Sequence, residues 1–170
     1  MDKLIEQIYD VLRKLAGLHT QLLEVVRLER EALVQADLKA IQSTADSKQG
    51  LIEEVHHAEI LRLKLTRELA VVWHKPYREL TLPNIIIVIQ SKDSKLAERF
   101  QSLYNTLTIL IQRLTTQNKD NLALVEKSLE HVSQMKRNVL GEVVPKSNTY
   151  TQRGQKANGP NSARLISKEV

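Results

Sequence analysis

The chain has 170 residues, no cysteine, and a formal net charge of +5; 42% of its residues are hydrophobic but only 4% are aromatic. This composition suits one domain with an aliphatic core, and the lack of cysteine excludes disulfides and thiolate metal sites and favours an intracellular protein. The charged first ten residues lack the apolar run of a signal peptide, and no stretch approaches the roughly 20 apolar residues of a membrane span, so we expect a cytoplasmic protein without direct membrane insertion.

The positive charge is concentrated at the end of the chain. From Glu142 onward five Lys/Arg stand against Glu142 and Glu169, whereas the residues before them are nearly balanced. A basic groove for nucleic acid is therefore not indicated, and we expect no nucleic-acid partner.

The first third of the sequence predicts a helix with two apolar columns. The first column follows spacings of three and four and contains Ile5, Ile8, Leu12, Leu15, His19, Leu22, Val26, Glu29 and Leu33. The second repeats every seventh residue and contains Leu4, Val11, Leu18, Val25 and Ala32. Two columns make a wide stripe, which indicates contact with more than one helix. His19 is interpreted as a hydrogen-bonded core or edge histidine rather than a ligand.

A second helical stretch begins after Asp37, a suitable N-cap, and ends before Pro76. Its predicted apolar stripe contains Leu38, Ile41, Ala45, Ile52, Val55, Leu65, Leu69 and Val72. The pattern leaves open whether the chain turns back at Asp37. Trp73, His74 and Tyr77 either form a partner-binding cluster or pack the end of the helix, and packing is favoured.

The next segment, TLPNIIIVIQ, contains the only strand-like run of the chain, residues 85–89. A lone strand is unstable because nothing pairs with its backbone. We therefore predict a short helix capped by Thr81, with Pro83 in its first turn, that plugs one end of a bundle.

The last helical signal begins near Asp93 and Ser94, and Gly141 with Pro145 marks its end. Its first stripe contains Leu96, Phe100, Leu103, Leu107, Leu110 and Leu114; after the polar stretch TTQNKDN, a shifted stripe contains Leu122, Val125, Leu129, Val132 and Met135. If the polar stretch does not break it, this helix has about 47 residues. With a rise of about 1.5 Å per residue, it is about 70 Å long. A helix of this length needs a partner, which we expect to be the first half of the chain folded back.

The predicted fold is therefore all-α: an elongated antiparallel helical bundle or coiled-coil hairpin with a short middle helix. Residues 1–141 form the bundle, and residues 142–170 form a flexible, disordered, basic tail. The shifted stripe either packs on the opening residues of the first helix or receives an amphipathic helix from another protein.

Catalytic motifs are not found: the five glycines are scattered, and no nucleophile elbow occurs. Glu53 and His56 form one E-x-x-H pair, but a di-iron bundle needs two such pairs and two more glutamates. A solvated helix face with a Glu53–His57 pairing is the favoured interpretation. We expect neither an enzyme nor a metal or other cofactor.

Three stretches resemble the FlgN family of flagellar export chaperones. Residues 22–55, LLEVVRLEREALVQADLKAIQSTADSKQGLIEEV, resemble its first half, with an Asp cap and a lone Lys48 before a Leu-Ile pair. TQNKDNLALVEKSLEHV, which places Asn118 and Asn121 three apart, is similar to its Asn-x-x-Asn region. YTQRGQ resembles its Tyr-then-Gly tail. The likeness covers roughly residues 4–155.

The resemblance implies a cytosolic chaperone without ATPase activity. It would bind the hook-filament junction proteins FlgK and FlgL, keep their terminal segments from associating prematurely, and deliver them to the export gate. By the same resemblance, substrate binding falls on Leu122, Val125, Leu129, Val132 and Met135. We further hypothesise that Tyr150, helped by Arg153 and Lys156, docks to the gate protein FlhA.

Three other classes of function remain open from the sequence, of which a bundle enzyme with a metal is the least favoured. A self-associating coiled-coil scaffold would form a stable dimer without any partner. A bundle that binds nucleic acid through its tail would show steep salt dependence, but the basic residues of the tail are few and spread out.

Overall fold

A computed structural model describes residues 2–140, and across these residues the protein is helical with no strand. Helix α1 spans Asp2–Gln35, α2 spans Leu38–Trp73, α3 spans Leu82–Gln90 and α4 spans Ser94–Leu140, with a 3₁₀ turn at Tyr77–Glu79. The all-α prediction and its short middle helix are confirmed. Residues up to Lys127 form one compact unit, and residues 128–140 belong to a second. The predicted tail, 142–170, lies outside the described residues.

The chain turns back between α1 and α2. Ala36 adopts the left-handed conformation, with φ of 53°, and the Asp37 amide donates to the Ala32 carbonyl at 3.0 Å. The Asp37 carboxylate accepts a hydrogen bond of 3.0 Å from the Ala40 amide, which confirms its predicted role as the N-cap. Lys48 pairs with Glu29 across the turn. Helices α1 and α2 are therefore an antiparallel hairpin, which settles the question that the sequence left open.

Helix α4 lies parallel to α1, as two contacts within the first unit show. The rings of Tyr9 and Phe100 meet edge to face with centroids 5.3 Å apart. Further along both helices, the Asn121 side chain donates to the Val26 carbonyl at 3.0 Å. Helix α4 is consequently antiparallel to α2. The predicted antiparallel hairpin is formed by α1 and α2, and α4 packs beside both.

The core is aliphatic around a single phenylalanine. The least exposed large side chains are Phe100, Ile8, Leu15, Leu69 and Val26. Both predicted columns of α1 reach this core: Ile5, Ile8, Val11, Leu12, Leu15 and Leu18 are all buried in one cluster. The breadth of the stripe follows from its position, because α1 packs against both α2 and α4.

The predicted stripe of α2 is confirmed only in part. Leu65 and Leu69 are buried and Ile41 and Val55 are half-buried, but Leu38 is 81% exposed, and Ala45, Ile52 and Val72 are also exposed. The less exposed side of the helix also includes residues that the stripe leaves out: Thr44, Lys48, Leu51 and Ala58. A search for apolar residues alone therefore follows a neighbouring face of the helix.

Helix α3 is confirmed as a helix that begins after Thr81 and carries Pro83 in its first turn. The Thr81 carbonyl accepts from the Ile85 amide at 2.9 Å, but the Thr81 side chain makes no capping bond. Ile85, Ile86 and Ile89 are buried and join the cluster that contains residues of α1, α2 and α4. These contacts seal the end of the bundle, as predicted.

The end of α2 packs on the core, which was the favoured interpretation of its aromatic cluster. Trp73 is half-buried against the cluster, and His74 terminates the helix in the left-handed conformation, with φ of 52°. The His74 amide donates to the Val71 carbonyl and the Lys75 amide to the Ala70 carbonyl. Tyr77 remains exposed, with the Arg67 guanidinium 5.5 Å from its ring centre.

Helix α4 continues without a break through the polar stretch and has the 47 residues expected of an unbroken helix. Of the two predicted caps, Asp93 does the capping: its carboxylate accepts from the Leu96 amide at 3.0 Å. The polar stretch is part of the packing rather than a linker, since Asn121 is only 4% exposed.

Candidate functional site

Three polar side chains from three helices meet inside the first unit, and we call them the polar junction: Glu29, Lys48 and Asn121. The Lys48 ammonium lies 2.9 and 3.2 Å from the two Glu29 carboxylate oxygens. The Asn121 side-chain amide donates to the same carboxylate at 3.0 Å. The side chains of Glu29 and Lys48 are only 18% and 23% exposed. The ion pair and the hydrogen bond from Asn121 offset the free-energy cost of removing the two charges from water.

The sequence does not identify this junction, although it contains the signal. Glu29 interrupts the apolar column of α1, and a polar stretch interrupts α4; each alone is consistent with a solvated face or a break. Only a pairing of the helices shows that the two interruptions meet. The other interruption, His19, places Nδ1 2.7 Å from the Leu15 carbonyl oxygen and is half-buried, as predicted.

The predicted substrate-binding residues all lie on α4. In the first unit, Leu122 is exposed and Val125 is half-buried. In the second unit, Leu129, Val132 and Met135 are 54% to 62% exposed. Every side chain described from 128 to 139 is exposed, including the still more exposed Val139, which the sequence analysis did not single out.

Exposure of this size does not fit a stripe that is packed in a core. The opening residues of α1, which were one predicted partner of the stripe, are instead buried in the same cluster as Leu69, Ile85 and Phe100. Large apolar side chains at helical spacing that are open to solvent are typical of a surface that binds a partner. We call Leu129, Val132, Met135 and Val139 the exposed α4 face.

The two residues of the E-x-x-H pair, Glu53 and His56, lie on an exposed side of α2. Glu53 accepts a hydrogen bond of 3.0 Å from Gln49 rather than pairing with His57. His56 and His57 are exposed, and their ring centroids are 6.3 Å apart. Across residues 2–140 no group of three His, Asp or Glu side chains is placed to hold a metal ion.

The three residues predicted to dock to the export gate, Tyr150, Arg153 and Lys156, lie outside the described residues. Within the described helices, none combines the length and apolar character that crossing a membrane requires.

Comparison with protein families gives a match to the model of the FlgN family, described as FlgN protein, which aligns with residues 1–158. The chain belongs to the FlgN family. No match was found among curated proteins or solved structures. FlgN proteins are flagellar export chaperones for FlgK and FlgL, and the general role of this chain is that of a chaperone in flagellum assembly.

The residues on which the resemblance to the FlgN family rests have two kinds of role in the structure: some hold the helices together, and others lie outside the core. Lys48 and Asn121 belong to the polar junction, so these matches report how the three long helices pack. Asp37 caps α2 at the hairpin turn. The amphipathic segment that follows Asn121 is different, because its apolar side chains are not used by the bundle core.

Proposed function

We propose that this FlgN-family chain is a cytoplasmic chaperone that binds FlgK and FlgL through the exposed α4 face, prevents their premature association and delivers them to the export gate protein FlhA. The observation that supports substrate binding is the exposure of Leu129, Val132 and Met135, each more than half open to solvent. A large apolar side chain contributes about 1.5–3 kcal/mol when it is fully buried. Three such residues on one helical face suffice to anchor an amphipathic helix.

The chemistry of the segment also suits a chaperone that accepts two different substrates. Met135 is flexible and polarisable, and therefore adapts to differently shaped partners. Around the apolar residues, Glu130 is acidic whereas Lys136 and Arg137 are basic, so neither sign of charge is rejected. Leu122 and Val125 precede the segment on the same helix and can extend the contact.

We predict that Leu129→Asp and Met135→Asp each weaken binding of C-terminal fragments of FlgK and FlgL by about tenfold or more. Each substitution places a charge where an apolar side chain would become buried in the complex. Size-exclusion chromatography with light scattering would detect the complex, and isothermal titration calorimetry would give the dissociation constants. The thermal unfolding of both variants should match that of the natural chain, since neither side chain belongs to the core.

Gln134→Asp is the matched control, because it adds the same charge to an exposed position on the opposite side of the helix. It should leave both dissociation constants unchanged. Equal loss of binding in all three variants would point to a general charge effect. A stable homodimer that binds neither fragment would favour the self-associating scaffold instead.

We also predict that Tyr150→Ala abolishes binding to the cytoplasmic domain of FlhA while the affinity for FlgK stays the same. Tyr150 is the only aromatic residue after Gly141, and a single aromatic anchor between polar residues gives a modest, rapidly released contact. Arg153 and Lys156 would add electrostatic attraction. Tyr150→Phe keeps the ring and should retain most of the binding; undiminished binding by Tyr150→Ala would contradict this docking role.

A further inference from the structure

Helix α3 carries more apolar surface than the core uses. Of its five consecutive Ile and Val residues, Ile85, Ile86 and Ile89 are buried, but Ile87 is 64% exposed and Val88 is half-buried. β-Branched residues are not favoured in helices. Neither core packing nor helix propensity therefore accounts for an isoleucine at position 87.

Ile87 lies at the edge of a groove between α3 and the segment that follows α2. The groove has a volume of about 360 Å³ and is lined by Lys75, Glu79, Leu80, Asn84, Ile87 and Val88. The Asn84 side chain donates to the Glu79 carbonyl at 2.7 Å, which ties α3 to the opposite wall. The groove is thus held in shape by the fold.

Two further apolar side chains are exposed at this end of the bundle. Val71, in the last turn of α2, is 73% exposed, and Tyr77 is held beneath the Arg67 guanidinium. We call Val71, Tyr77, Ile87 and the groove the α3-end surface.

Exposed basic side chains lie in the segments that form the α3-end surface. Between positions 67 and 79 three Lys/Arg stand against Glu68 and Glu79, a small excess of positive charge. Arg67, Lys75 and Arg78 are exposed there, and Glu79 is the one acidic residue that lines the groove. An apolar groove with a basic border fits an apolar ligand with acidic flanks.

We propose that the α3-end surface is a second protein-binding site, which receives an amphipathic helix whose apolar face is bordered by Asp and Glu. The apolar face packs on Ile87 and Val88, and the acidic side chains pair with Lys75 and Arg78. This site uses none of the residues assigned to FlgK and FlgL, so it can be occupied by a different protein. A membrane surface fits less well, because lipid-binding clusters have four to eight basic residues and because the surface is concave and contains Glu79.

The single tryptophan of the chain gives a direct readout, since Trp73 is two residues from Lys75. The probe is a synthetic helical peptide of about 15 residues with Leu at helical spacing and Glu on both flanks. The control peptide has Lys in place of every Glu. With the full-length chain, we expect the acidic peptide to change the Trp73 emission in a saturable way and the Lys peptide to leave it unchanged.

Two variants locate the site. Ile87→Asp and Arg78→Glu should each raise the dissociation constant of the acidic peptide at least tenfold, with helical content and thermal unfolding unchanged because both side chains are exposed. Leu129→Asp, which impairs the exposed α4 face, should bind the peptide normally. The proposal is overturned if the acidic peptide does not bind, if both peptides bind equally, if neither variant weakens binding, or if vesicles with phosphatidylserine elicit the Trp73 response more strongly than the peptide.

Discussion

Leu69→Ala is expected to lower the free energy of unfolding of the bundle by about 3–5 kcal/mol. Leu69 is fully buried in the cluster in which α2 meets α1, α3 and Phe100 of α4. Truncation removes three carbon atoms from this contact and leaves a cavity that rigid neighbouring helices fill only partly. Domains of this kind are stable by about 5–15 kcal/mol, so the loss is a large fraction of the total. Urea unfolding followed by far-ultraviolet circular dichroism measures it.

Leu38→Ala is the matched control, being the same substitution in the same helix. Leu38 is 81% exposed in the first turn of α2, and leucine and alanine have similar helix propensities. The free energy of unfolding should therefore change by no more than about 0.5 kcal/mol. Similar losses from the two substitutions would show that the hairpin turn buries Leu38 in solution and that the packing of α2 described here is wrong.

The same two leucines show how far an apolar pattern predicts packing. In α1 the pattern is sufficient, because Ile8, Leu15 and Val26 occupy the core-facing positions and few apolar residues lie elsewhere. In α2 the core-facing side includes Thr44 and Lys48, so a stripe drawn through apolar residues alone drifts to the exposed side at Ala45 and Ile52. The polar residues are satisfied there: Thr44 donates to a carbonyl of its own helix, and Lys48 pairs with Glu29.

The polar stretch of α4 illustrates a second limit. Seven consecutive polar residues are compatible with a break, a solvated turn or a polar layer in a core, because helix propensity hardly separates these possibilities. What decides between them is the presence of Glu29 and the Val26 carbonyl opposite Asn121. A single sequence does not show which residues of two distant helices lie opposite each other.

The two candidate binding surfaces are also predicted only in part by the sequence. Helical spacing predicts that Leu129, Val132 and Met135 share a face, but only the structure shows that this face is open to solvent. At α3 the sequence indicates an apolar helix without showing that Ile87 points away from the core. The groove beside Ile87 depends on the path of the segment after Trp73, which is set by the left-handed His74 and by Pro76.

Lys48→Met is expected to cost about 1–3 kcal/mol of unfolding free energy, because it leaves the Glu29 carboxylate largely buried with the Asn121 amide as its remaining partner. The cost falls below that of a fully buried pair, since both side chains retain some contact with water. Adding Glu29→Gln should recover part of the loss, because no unpaired charge then remains and the new amide oxygen can still accept from Asn121. A double-mutant cycle by urea unfolding gives the coupling energy.

Arg13→Met is the control for this cycle, because Arg13 forms an exposed pair with Asp10 on α1 and should contribute less than about 0.5 kcal/mol. The double variant of the junction should still bind FlgK with unchanged affinity, since the exposed α4 face is untouched. Loss of FlgK binding in a variant that remains folded would mean that the junction takes part in recognition. Additive effects of Lys48→Met and Glu29→Gln would instead show that the pair contributes nothing to the bundle, and the polar stretch of α4 would then need another explanation.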